Sequence, residues 1–110
     1  MFNTDDALLA ARTLGITFDK FSCEDFLRGI NIELEHGTID PKTNVTNDDL
    51  IITSKIALAH LNEHSNYYNK NYGLDEFEKF LNTKKWKLFF HFLFYLDVIK
   101  FFPNYILYLF

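Results

Sequence analysis

SCEDFLRGINIELEHG, residues 22–37, decides the fold class of this chain. Ser22 followed by Asp25 resembles a capping box that opens a helix. Cys23, Phe26, Leu27, Ile30 and Leu34 then fall within one narrow arc, the stripe of an amphipathic helix, and Gly37 stands where a left-handed C-cap would end it. Inside that apolar frame, Glu33, Glu35 and His36 are polar groups in need of partners, because a buried unpaired one costs ~1–3 kcal/mol, more if charged.

Working toward the N-terminus, residues 16–21 form a connector. Before it, Leu8, Ala11 and Leu14 recur at helical spacing until Gly15 stops the run; Thr4 is the expected N-cap, and Asp5 and Asp6 suit a positive helix start. Toward the C-terminus, residues 38–47 hold Pro-, Asp-, Thr- and Asn-type breakers without periodicity and read as a loop, ending in a cap from Thr46 or Asn47. A third helix is expected from about Asp48 to Tyr68, and residues 69–73 look like a break. Leu74, Phe77, Phe80 and Leu81 mark a short fourth helix, with Asp75, Glu76 and Glu78 on its other side. The expected fold is all-α: a small bundle of about four helices plus an apolar, aromatic-rich C-terminal helix.

The third helix is mostly apolar, so it should be central to the bundle. Asp49, Thr53, His60 and His64 nevertheless lie within about 60° of one another, bordered by Glu63. A polar stripe therefore crosses a helix that should be buried. Glu33 and His36 are likewise one turn apart, the Glu-x-x-His spacing of carboxylate-bridged metal bundles. If the second and third helices pack antiparallel, His36 should face Asp48 and Asp49, and His60 should lie over a turn away.

Composition breaks near Lys84. Residues 1–85 hold nine of the eleven basic and fourteen of the fifteen acidic residues and are expected to form a helical domain. Residues 86–110 hold eleven of the twenty aromatics. From Leu88 to Phe110, 23 residues could reach about 35 Å as a helix, enough for a hydrocarbon core of ~30 Å. Fifteen Leu, Ile, Val and Phe residues favour insertion by roughly 4.5–9 kcal/mol, against about 5–7 for Asp97 and Lys100, and Pro103 would kink or end the helix. Residues 88–110 read as a membrane anchor, a helix packed on the bundle, or a degenerate extension.

The net charge of −4, with no Lys/Arg cluster among aromatics, argues against a nucleic-acid surface. Cys23 is the only cysteine, which excludes an internal disulfide and fits a reducing compartment. With no basic, apolar leader at the N-terminus, a cytoplasmic location is expected, with membrane association left to the C-terminus. Cys23 and Ser22 sit at a helix start with no histidine near in sequence, and Gly15, Gly29, Gly37 and Gly73 are isolated, so neither nucleophilic catalysis nor a phosphate loop is indicated.

Two readings of the polar residues follow. In the first, Glu33, Glu35, His36, Asp48, Asp49, Lys55, His60 and Glu63 form a structural network that fixes how the loop closes over the bundle. In the second, His36, His60, Glu63, Asp48 and Asp49 bind a divalent transition metal, zinc, manganese or iron. The network is the preferred reading, since neither H-E-x-x-H nor C-x-x-C is present.

At these residues the chain resembles an uncharacterised family. Phe26-x-x-Gly29, Glu33-Leu34-Glu35-His36-Gly37, Thr43-Asn44-Val45-Thr46-x-Asp48-Asp49, and Lys55-Ile56-Ala57-Leu58-Ala59-His60-Leu61-Asn62-Glu63 ending in Tyr67-Tyr68 are similar to the domain of unknown function 5661, over roughly residues 5–70. The resemblance implies a compact helical domain of microbes and viruses without an assigned activity. Where the family pattern has an aromatic-Pro-Asp run before the paired tyrosines, this chain has His64-Ser65-Asn66. That makes His64 a poor candidate for a shared site.

The functional expectation is a non-enzymatic interaction or scaffold module with an unknown protein partner. Metal binding, metal-dependent catalysis and C-terminal membrane anchoring are the alternatives.

Overall fold

The computed structural model describes residues 1–83, whose order is α1 (Thr4–Leu14), α2 (Cys23–Ile32), a 3-10 turn (Glu33–His36), α3 (Leu50–Glu63) and α4 (Leu74–Asn82). Among these residues there is no strand, and the all-α expectation holds. The chain divides into two units, Met1–Asp75 and Glu76–Phe110. The expected C-terminal helix and its membrane reading lie outside the described residues. Among the described residues no helix is long and apolar enough to cross a membrane.

In the first unit α1, α2 and α3 pack against one another, and the 3-10 turn packs on α2 and α3. Asn3, not Thr4, caps α1: its side chain accepts from the Asp6 amide at 3.0 Å, and Asp6 accepts in return from the Asn3 amide. The asparagine serves as well as the threonine, and Asp6 falls at the third helical position, where the reciprocal bond needs a carboxylate. Gly15 closes α1 in the left-handed conformation, φ 71°, that glycine adopts without penalty.

The face α1 buries differs from the leucine stripe. Ala7, Ala10 and Ala11 are buried, whereas Leu8 and Leu9 are 42% and 52% exposed. Small side chains allow a close approach to α2 and α3 that leucine would prevent. The Asn31 side chain holds the start of the chain against α2, bonding both the Phe2 amide and the Phe2 carbonyl.

α2 buries the predicted arc through Phe26 and Ile30. Phe26 packs with Phe18 and Phe21 at ring-centroid distances of 6.0 and 6.2 Å. Ser22 accepts from the Asp25 amide as its cap. Gly37 is not a left-handed C-cap, because its φ is −102°. Instead α2 tightens into the 3-10 turn before Gly37, which redirects His36.

α3 is shorter than its apolar run implies. It is capped by the Asp49 side chain, which accepts from the Ile52 amide at 2.8 Å, and it ends at Glu63. The remaining stretch to Tyr68 turns back on itself, with the Tyr67 amide donating to the His64 carbonyl and the Asn69 amide to the Asn66 carbonyl. Thr53, Ser54, Ala57 and Leu61 are its buried residues, so its inward face is partly hydroxylic. Thr53 satisfies its hydroxyl on the Asp49 carbonyl. In α4 no residue is buried, and Phe77 and Leu81 are 50% and 40% exposed.

Candidate functional site

Glu33 is the residue around which the polar side chains gather. It opens the 3-10 turn, and its side chain is 4% exposed. The Tyr68 hydroxyl donates to Glu33 Oε1. His36 Nε2 lies 3.5 Å from Glu33 Oε2 and 3.2 Å from Glu35 Oε1, and His60 Nε2 lies 3.7 Å from Glu33 Oε1. His36 and His60 therefore meet on one carboxylate, against the expectation that they would lie far apart. The turn after Ile32 folds the His36 side chain back over Glu33 instead of extending it toward the loop.

Tyr68 reaches this place because of a glycine. A Cβ on Gly29 would lie 2.5 Å from Tyr68 Cδ2, so the ring rests on the bare backbone of α2. Glu33 is one turn further along and meets the hydroxyl. Burial, and then the bond to Glu33, push the Tyr68 phenol well above its ordinary value of 10.0. Tyr67 stacks on His60 with ring centroids 4.3 Å apart and planes 4° from parallel, and packs edge-on against Tyr68 at 4.9 Å. The Tyr67 carbonyl accepts from the Leu74 amide at 2.7 Å, which secures the returning segment. One side of the cluster opens to solvent, for His36 and Glu35 are 44% and 61% exposed.

The other candidate residues lie elsewhere. Asp48 accepts from both the Thr38 amide and the Thr38 hydroxyl, which hold its carboxyl below the usual carboxylate range. Asp49 caps α3. Lys55, Glu63 and His64 are exposed. The loop from Gly37 to Asp49 is nonetheless ordered: the Val45 and Thr46 amides donate to the His36 carbonyl, and the Asn47 amide donates to Asn44 Oδ1. Asn47 and Asp48 both adopt positive φ, 52° and 60°, immediately before the α3 cap. A Cβ at Gly37 would collide with the Asp48 carboxylate, so the loop closes only over glycine.

Reading the residues one by one missed the two tyrosines as members of the cluster, and Gly29 as the reason they fit. The signal was the Phe26-x-x-Gly29 spacing together with the Tyr67-Tyr68 pair. A shallow cavity of about 300 Å³, lined by Ile16, Phe18, Phe21, Leu58 and Asn62 among others, shares no residue with the cluster.

These features define a class: a small all-α domain in which a histidine–carboxylate–tyrosine cluster joins the end of α2 to α3 and to the segment beyond it. The family described as Protein of unknown function (DUF5661) matches residues 7–79, and the chain belongs to that family. No curated protein and no solved structure matches the chain.

Proposed function

We propose that this chain is a non-enzymatic interaction or scaffold module whose contact surface is the loop between the 3-10 turn and α3. The observation that supports this reading is the exposure of Ile39 and Val45, 77% and 74%, on a loop pinned at several points along its backbone. Exposed aliphatic groups gain about 25 cal/mol per Å² when a partner covers them. A loop that is already ordered loses little further entropy on binding. Asp48 and Asp49 serve the loop and the helix cap, and Ser22 serves α2, which leaves them without a catalytic assignment.

The experiment is proximity cross-linking of the full chain in cells that express it, beside an Ile39→Asp/Val45→Asp variant. The reading expects a discrete protein partner for the wild type, lost in the variant while the melting temperature is unchanged. An identical set of cross-links for both chains, or none for either, contradicts it.

A further inference from the structure

A carboxyl group as deep as that of Glu33 needs polar partners, because a buried group left unpaired costs ~1–3 kcal/mol or more. Among the described residues no lysine or arginine pairs with it; its neighbours are the Tyr68 hydroxyl and the imidazoles of His36 and His60. A second carboxylate, Glu35, faces the same His36 nitrogen. Two carboxylates thus converge on one imidazole, with no fixed cation of the protein between them.

The spacings fit a different partner. Hydrogen bonds from nitrogen to oxygen cluster near ~2.9 Å. A tetrahedral zinc centre with bonds of ~2.0–2.2 Å has donor-to-donor edges of about 3.3–3.6 Å. His36 Nε2 lies 3.5 Å from Glu33 Oε2 and 3.2 Å from Glu35 Oε1, and one ligand atom from each of the three residues can be chosen so that all lie within 4.8 Å of one another.

We propose that Glu33, Glu35 and His36 form a binding site for one divalent transition-metal cation, zinc foremost, with water completing its coordination. The site stands independently of any partner at the 37–49 loop. Glu33 is its fixed floor, since Tyr68 holds Oε1 and leaves Oε2 facing His36. Glu35 and His36 form the solvent side, through which a hydrated ion can enter. Tyr68 is a positioning residue: it orients the buried carboxylate, as partners behind metal ligands do. An imidazole among the donors favours zinc, manganese or iron over calcium or magnesium.

The test uses the full chain stripped with a chelator and titrated with zinc, followed by calorimetry and by melting temperature. Cobalt(II) is substituted in parallel for its visible spectrum. The proposal expects one equivalent bound, a raised melting temperature, and intense low-coordinate cobalt bands. Because Glu35 and His36 are partly exposed, Glu35→Gln and His36→Ala should fold, and each should weaken zinc binding by about tenfold or more, the loss typical even of residues behind the ligands. His64→Ala should bind as the wild type does. Absence of saturable binding overturns the proposal, and so does binding that survives His36→Ala and Glu35→Gln or disappears with His64→Ala.

Discussion

The Tyr68 hydroxyl donates to the buried Glu33 carboxylate across 35 residues of sequence. That bond ties the returning segment after α3 to the 3-10 turn after α2, and His36 and His60 are drawn to the same carboxylate. The polar cluster and the closure of the bundle are therefore one structure.

Alkaline pH should weaken the fold through this bond. The folded Tyr68 phenol titrates above its ordinary 10.0, so both states keep the proton below that value and the contribution is complete there. Above it the unfolded chain releases a proton that the native chain retains, and stability should fall by about 1.4 kcal/mol per pH unit until the native phenol also ionises. Urea unfolding between pH 9 and 11 checks this, and in Tyr68→Phe the part of the slope due to this residue should vanish.

Gly29→Ala should be destabilising although it raises helix propensity. Its methyl would press on the Tyr68 ring, which must shift or tilt away from Glu33. Overpacking of this kind costs ~1–3 kcal/mol against the ~1 kcal/mol that alanine returns in a helix. Chemical denaturation gives the sign directly, and a stabilised variant would show that the ring does not rest on this backbone.

Acid should loosen the 37–49 loop before the core. The Asp48 carboxyl is held below its ordinary 3.8 by Thr38, so its contribution is present above that pH and is lost as pH falls through the lower native value. The protection factor of the Thr38 amide, its exchange relative to an unfolded chain at the same pH, should fall below about pH 4, and Asp48→Ala should show the lower protection already at pH 7.

Phe26→Ala should cost ~3–5 kcal/mol, because Phe26 is fully buried and forms an aromatic group with Phe18 and Phe21. A small domain has only about 5–15 kcal/mol in total, so the melting temperature should fall by more than about 10 °C. Retention of a wild-type melting curve would contradict the packing.

Periodicity made the helices legible, since an apolar arc at 100° per residue is local and survives any tertiary arrangement. Cys23 to Ile32 could be read this way, and so could the stop at Gly15. The buried face of α1 could not, because hydrophobicity ranks Leu8 above Ala7, whereas close approach of three helices selects the smaller side chain. Nor could the end of α3, because the two tyrosines beyond Glu63 suggest a continuing helix but instead lie on a turn that carries them back. Glu33, His36 and His60 were recognisable as polar residues in apolar surroundings. Their convergence was not, because it depends on a 3-10 turn and on a tyrosine 35 residues away.

The most direct test of the account is a double-mutant cycle between Glu33→Gln and Tyr68→Phe, measured by urea unfolding at pH 7. A hydrogen bond to a buried charged group predicts a coupling energy of about 1.5–3 kcal/mol. Additive effects of the two substitutions, with coupling near zero, would contradict the claim that Tyr68 and Glu33 together organise this site.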